Sequence, residues 1–366
     1  MKNRLPIAVC VLALALAGCR HSTPAQPTAA KPTATPAPSL NSQPSTLNSP
    51  RPASSYQAMG SIERLDPRLD QLLATNAVIE KLAEGFTWAE GPVWIKEEKL
   101  LLFSDVPKNT IYQWKEGEGV KAFLRPSGYT GSVSREGEPG SNGLTVDSNG
   151  RLVLCQHGDR RIARVRSDGK FNTLAQYYQY RRFNSPNDLV FKSNGDLYFT
   201  DPPYGLPKLN EDPDKELPFS GVFRLQPGGE VTLLTDELTF PNGIAFSPDE
   251  KRLYVAVSDP KRPVVMAYEV RPDGALGSGS VFFDAAPLVK PDRKGLPDGL
   301  KVDRAGNLFA TGPGGVLVIA PGGTHLGTIN TGQATANCAW GNDGSVLYMT
   351  ADKILCRVKT KTRGKM

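Results

Sequence analysis

The sequence predicts an all-β fold, a six-bladed β-propeller with four-stranded blades around a central channel, spanning residues 57–358. Three observations predict it. A short motif recurs six times, turn-forming residues and an apolar strand follow the copies, and the copies lie 39 to 56 positions apart. A period of about 40–50 residues with several short strands per unit is the mark of propeller blades.

The copies are Ala89-Glu90-Gly91-Pro92-Val93-Trp94, Ser141-Asn142-Gly143-Leu144, Pro186-Asn187-Asp188-Leu189, Pro241-Asn242-Gly243-Ile244, Pro297-Asp298-Gly299-Leu300 and Ala336-Asn337-Cys338-Ala339-Trp340. Each has a small residue or Pro, then a carboxylate or amide, then apolar alternation. Turns such as Asp147-Ser148-Asn149-Gly150, Ser193-Asn194-Gly195-Asp196 and Asn342-Asp343-Gly344-Ser345 come next, and strands such as Leu152–Leu154, Leu197–Thr200 and Leu347–Thr350 follow them. That is strand, tight turn, strand. Val78–Leu82 precedes the first copy and reads as a strand without a blade of its own. It is expected to join the last blade and close the ring, which removes exposed edges. Pro67–Leu73 is expected to form a helical turn or two. A β-sandwich is the competing architecture, and six similar units fit it poorly.

Ahead of the repeats, Lys2 and Arg4 lead into an apolar stretch, Ile7–Ala17, that ends Leu16-Ala17-Gly18-Cys19. A basic start, an apolar core and small residues describe an export signal over residues 1–18. The stretch is shorter than the roughly 20 apolar residues that span a bilayer. Its ending resembles a bacterial lipoprotein box, with Cys19 as the lipidated residue and the protein held at a membrane, periplasmic or at the cell surface. An ordinary cleaved signal with an incidental Cys is the alternative. Residues 19–56 are rich in Pro, Ser, Thr, Ala, Asn and Gln and carry no acidic residue. Such a segment buries too little apolar surface to order itself and reads as a tether.

The net charge of +6 is misleading. Lys2, Arg4, Arg20, Lys31 and Arg51 all precede the domain, and without these five the charge is +1. Lys359, Lys361, Arg363 and Lys365 fall in the last eight positions, expected to be a solvated basic tail over 359–366. No basic stripe of the kind nucleic-acid binders carry is present. Cys155, Cys338 and Cys356 are an odd set within the domain. They indicate packing rather than a disulfide framework, with one pair left open. Trp94, Trp114 and Trp340 read as packing aromatics between blades.

In a propeller the innermost strand of each blade lines the channel. A residue at the same point in each copy faces the axis, which marks Glu90, Asn142, Asn187, Asn242, Asp298 and Asn337. Taken singly, Asn-Gly and Asp-Gly are also ordinary turn formers. That reading explains neither Glu90 nor the placement of each residue before an apolar strand. A ring of side-chain oxygens, with Glu90 and Asp298 as carboxylates, suits a hard divalent cation. It also relieves two buried like charges. Ca²⁺ fits best, with Mg²⁺, Mn²⁺ or Zn²⁺ as alternatives. No Gly-x-Ser-x-Gly elbow, P-loop, dinucleotide glycine fingerprint or Cys-x-x-Cys is present.

Glu90-Gly91-Pro92-Val93-Trp94, Ser185-Pro186-Asn187-Asp188-Leu189, Asp201-Pro202-Pro203-Tyr204-Gly205 and Pro297-Asp298-Gly299-Leu300 resemble the senescence-marker-protein/gluconolactonase/luciferin-regenerating-enzyme family, its bacterial gluconolactonase branch above all. Gln156-His157-Gly158-Asp159-Arg160-Arg161 and the Asn337 segment add to the likeness, which runs from about residue 66 to 355. The resemblance implies a metal-dependent hydrolase of sugar-type lactones, acting as a monomer on a small molecule. It implies Glu90, Asn187, Asn242 and Asp298 as metal ligands, with Asp298 as general base. Asn142, Asn187, His157, Arg160, Tyr204 and Asn337 are candidate substrate contacts, and Leu206–Phe219 is the candidate mouth loop. Two other functions stay open: another ester or an organophosphate hydrolysed on the same metal site, and a non-catalytic binding propeller tethered at a surface.

Overall fold

The computed structural model describes residues 56–366, so the expected export signal and the expected tether up to Ser55 lie outside the described residues. Six antiparallel sheets follow one another along the chain. Their innermost strands begin at Ala89, Ser141, Leu189, Pro241, Leu300 and Thr335. These are the six expected blades, and each has four strands of its own once the last is completed from the N-terminal side.

A propeller has no single core. The buried apolar residues fall into six clusters, each shared by two neighbouring blades. Between the first and second blades, for example, Leu100, Leu102 and Ile111 meet Leu144, Leu152 and Leu154. Between the sixth and first, Tyr348 stacks on Trp94 at 5.5 Å and lies 5.7 Å from Trp114. Trp340 packs edge-on against Phe309 across the fifth and sixth blades, its indole N–H on Val302 O at 3.1 Å. Division among interfaces explains how so long a chain stays one domain.

The ring closes as the sequence predicts. Ile79–Glu84 is the outer strand of the sixth blade, antiparallel to Ile354–Lys359, with Val358 opposite Ile79. Leu69–Leu72 forms the expected helical turn and buries Leu69 and Leu72 between the fifth and sixth blades. Two further strands were not foreseen. Gln57–Met59 extends the sixth blade, and Ser61–Arg64 pairs with His325–Asn330 of the fifth. The start of the domain is thereby stapled across two blades. Tyr56, assigned above to the tether, packs 6.4 Å from Trp114.

The expected solvated tail needs correction. Its lysines are exposed, yet its backbone is docked: Lys361 N–H donates to Leu72 O, Thr362 Oγ1 donates to Asp303, and Gly364 bridges to Asp303. Cys155, Cys338 and Cys356 are all buried and free.

Candidate active site

A cavity of about 370 Å³ lies at the hub and draws its walls from all six blades. Glu90, Asn142, Asn187, Asn242 and Asp298 line it, one from each of the first five. Glu90, Asn142, Asn187 and Asn242 are buried, and Asp298 is half-buried. The glycine after most of them is not there for a turn. A Cβ on Gly91 would stand 1.9 Å from Asn142 O, and one on Gly243 would stand 2.2 Å from Asp298 O. At Gly91 and Gly243 the neighbouring inner strands approach so closely that no side chain fits, and hub hydrogen bonds such as Gly143 N–H to Asn187 O (2.7 Å) tie the strands together.

The sixth blade departs from expectation. Asn337 does not line the cavity; Thr335 and Ala336 do. The irregularity in the inner ladder falls at Ala336, so that residue occupies the ring position and Asn337 takes the slot that glycine fills elsewhere. A Cβ on Gly299 would in fact meet the Asn337 side chain at 2.0 Å. In the third blade Asp188 holds the equivalent slot, where burial pushes its carboxyl up against the opposing pull of Lys301, the Leu189 N–H and Asn337. Asn337 is therefore part of the hub beneath the cavity rather than a substrate contact.

Local hydrogen bonds aim the ring residues. Asp201, of the Asp-Pro-Pro-Tyr motif, accepts the N–H groups of Asn184 (2.7 Å) and Ser185 (2.8 Å), fixing the segment that delivers Asn187. His157 is completely buried behind Asn187, with its Nε2 3.5 Å from the amide nitrogen. It buttresses the wall and is not among the lining residues, contrary to the substrate role expected for it. Arg160 is not among the lining residues either: its Nε donates to Phe183 O (2.7 Å) and Asn184 O (3.1 Å), and its Nη1 lies 3.7 Å from Glu216. Tyr204 does line the cavity and stacks on Phe240 at 5.7 Å. The expected mouth loop, Leu206–Phe219, supplies no lining residue. Its Leu206 and Leu217 are buried instead.

Sequence reasoning missed Trp88, Glu138 and Ser258, which complete the walls. Ser258 lies near the end of the strand Arg252–Asp259, which pairs with the inner strand that carries Asn242. Glu138 sits in an irregular loop, where no pattern marks it.

The electrostatics are those of crowded acids. Burial, and then the charges of Asp188 and Glu138, push the Glu90 carboxyl up. Burial followed by the charges of Glu90, Asp188 and Glu138 pushes Asp298 well above the carboxylate range. Meanwhile Asn142 Oδ1 and Asn242 Oδ1 are buried without hydrogen-bond partners. Converging carboxylates and orphaned amide oxygens are the donor set of a hard divalent cation. No group of three or more His, Cys, Asp or Glu suited to a metal exists among the described residues, so amide oxygens are essential to such a site.

Known proteins point the same way. A gluconolactonase of Zymomonas mobilis is 41% identical over 312 residues, covering 84% of this chain and 88% of that protein. A pentonolactonase of Haloferax volcanii is 27% identical over 267 residues, 71% of this chain and 80% of its own. The solved structure of a Xanthomonas campestris gluconolactonase superposes with a TM-score of 0.74 at 34% identity, covering 85% of this chain and 98% of that one. The family model of the SMP-30/Gluconolactonase/LRE-like region matches residues 88–353, which is the propeller from the first inner strand to the last blade. The chain belongs to the SMP-30/gluconolactonase/LRE-like family.

Proposed function

We propose that this chain is a hydrolase of sugar-type lactones whose hub cavity holds one divalent cation, Ca²⁺ by preference. The observation that carries the reading is the meeting of Glu90 and Asp298 in one buried cavity with the unpaired amide oxygen of Asn242. The similarity to a gluconolactonase and a pentonolactonase supports the substrate class.

Glu90, Asn187, Asn242 and Asp298 would hold the ion. The chemistry it supplies is Lewis-acid polarisation of the ester carbonyl and countercharge for the oxyanion. Asp298 takes a proton from water as the water oxygen bonds to the carbonyl carbon. The tetrahedral adduct then collapses with cleavage of the ring C–O bond, and Asp298 returns the proton to the departing alkoxide oxygen. Burial and the neighbouring carboxylates push Asp298 toward its neutral form, and the cation held beside it would keep it ionised for its work as a base. Asn142 and Tyr204, the remaining polar lining residues expected from the sequence, are the side chains available to bind substrate hydroxyls.

The test is hydrolysis of a panel of aldonolactones with and without chelator, each metal restored separately. Loss on chelation and recovery with Ca²⁺ is expected. Chelator-resistant turnover would overturn the cation site.

We also propose that the propeller is exported and tethered to a membrane through Cys19, on the strength of the Leu16-Ala17-Gly18-Cys19 box. Cys19→Ser should move the protein from the membrane fraction to the soluble one. An unchanged distribution would refute the anchor.

A further inference from the structure

The cavity contains a third carboxylate that neither the proposed ion site nor the proton transfer uses. Glu138 lines it beside Glu90 and Asp298, with its side chain 33% exposed. Its Oε2 lies 3.4 Å from Nδ1 of the buried His157, an atom with no hydrogen-bond partner of its own.

The segment that carries Glu138, between the first and second blades, is braced on three sides. Asn109 Oδ1 accepts the N–H groups of Ser127 (3.0 Å), Gly128 (2.7 Å) and Tyr129 (3.1 Å). Thr130 Oγ1 donates to Asp159 at 2.7 Å. Arg135 reaches across to donate to Gly158 O and Gly205 O, both at 2.8 Å, pinning the segment to the second and third blades. The segment is thus held against the second and third blades, and the Glu138 carboxylate faces His157 from the wall. None of the described lining residues is Lys or Arg.

We propose that Glu138 sets the substrate class, accepting hydroxyl hydrogen bonds from a neutral polyhydroxylated lactone and repelling lactones that carry a phosphate. This rests on the lactone-hydrolase reading and refines it. A carboxylate is a strong acceptor for sugar hydroxyls. With two acids already offset by a divalent ion, its charge is the one left over at the wall. Like charge within a few ångströms in a partly shielded site is worth about a tenfold or greater effect on binding. The product of the reaction is itself a carboxylate, so the same charge favours product departure.

The experiment compares wild type, Glu138→Gln and Glu138→Ala, each loaded with Ca²⁺, on four lactones. These are glucono-δ-lactone, its 6-O-methyl analogue, its 6-phosphate and δ-valerolactone, which has no hydroxyls. Glu138→Gln should raise kcat/KM for the phosphorylated lactone about tenfold and tighten inhibition by the aldonate product. It should leave the 6-O-methyl analogue within about threefold. Glu138→Ala should lower kcat/KM for glucono-δ-lactone about tenfold through KM and spare δ-valerolactone. A phosphate-to-methyl ratio that does not change in Glu138→Gln overturns the proposal while the hydrolase reading stands. Equal loss on all four lactones also overturns it, because the effect would then be structural. If the wild type hydrolyses none of them, the hydrolase reading falls and this refinement with it.

Discussion

Asn242 donates its amide N–H to Ser258 Oγ at 2.9 Å, and Ser258 spends its single proton on Pro297 O at 2.5 Å. A hydroxyl that already donates can only accept from the amide, so the nitrogen of Asn242 must face Ser258. The amide oxygen is left buried and unpaired in a residue that lines the cavity. Outer partners of this kind commonly change metal affinity by about 10–100-fold. Ser258→Ala is expected to weaken Ca²⁺ binding about tenfold by calorimetry, and to leave the melting temperature in chelator within a few degrees. Unaltered Ca²⁺ affinity would mean that Asn242 is not oriented in this way or is not a ligand.

Asp298 is the more severe case. Its replacement by Asn keeps the shape and an oxygen donor but removes the proton acceptor. Loss of a group acting on the transition state commonly costs ~3 kcal/mol or more. Asp298→Asn should therefore keep its circular-dichroism spectrum and lose at least about a hundredfold in kcat. Turnover at the wild-type rate would remove Asp298 from the mechanism.

The two acids and three amides of the ring were legible in the sequence because a repeat copies its geometry, and one residue per copy inherits the same direction. The same logic failed by one position in the sixth blade. There the inner ladder carries the same one-residue shift as in the first, second and fourth blades, but Ala336 stands at the ring site and Asn337 in the glycine slot, so aligning the copies on their amide displaces this one by a residue. His157 and Arg160 were expected to bind substrate but lie outside the cavity lining, since proximity along the chain does not say which way a side chain turns. Glu138 was invisible because loop residues obey no period. The staple made by Gln57–Met59 and Ser61–Arg64 was hidden for another reason: edge pairing is set by where the chain is carried, not by its own pattern.

Acid should loosen the junction that Glu250 holds. Despite the desolvation that opposes it, hydrogen bonds from Ser193 Oγ (2.6 Å), Lys192 Nζ (3.1 Å) and Lys365 Nζ (3.2 Å) bring its carboxyl down to about 2. The group is lower in the folded chain than in the unfolded one, so the unfolded state binds the extra proton. Its stabilisation is fully present above the unfolded value near 4.5 and is lost as pH falls through the window toward 2. With solvent screening allowed for, about 1–2 kcal/mol is at stake. Urea unfolding at pH 7 should find Glu250→Gln weaker by that amount, and the gap should close by about pH 2. A gap that persists at low pH would mean that packing, not charge, is responsible.

Arg357 is the latch where the ring closes. From the sixth blade its Nε pairs with Glu80 at 2.6 Å and its Nη1 pairs with Glu116 of the chain just past the third strand of the first blade. The guanidinium also stands 5.0 Å from the Tyr56 ring and 5.5 Å from Trp114, and Tyr56 Oη donates to Glu116 at 2.9 Å. Only 6% of its side chain is exposed, whereas Glu80 and Glu116 remain partly in water. Removing the arginine therefore strands neither acid completely, and the cost should fall at the lower end for a buried pair, about 3 kcal/mol. The latch lies away from the hub, with Arg357 on the third strand of the sixth blade and Glu80 on the fourth. Arg357→Ala should lower the melting temperature by several degrees and leave kcat/KM of the folded enzyme unchanged. If activity fell at temperatures where the variant is fully folded, closure of the ring and geometry of the hub would be linked, and the separation of rim stability from hub chemistry argued here would not hold.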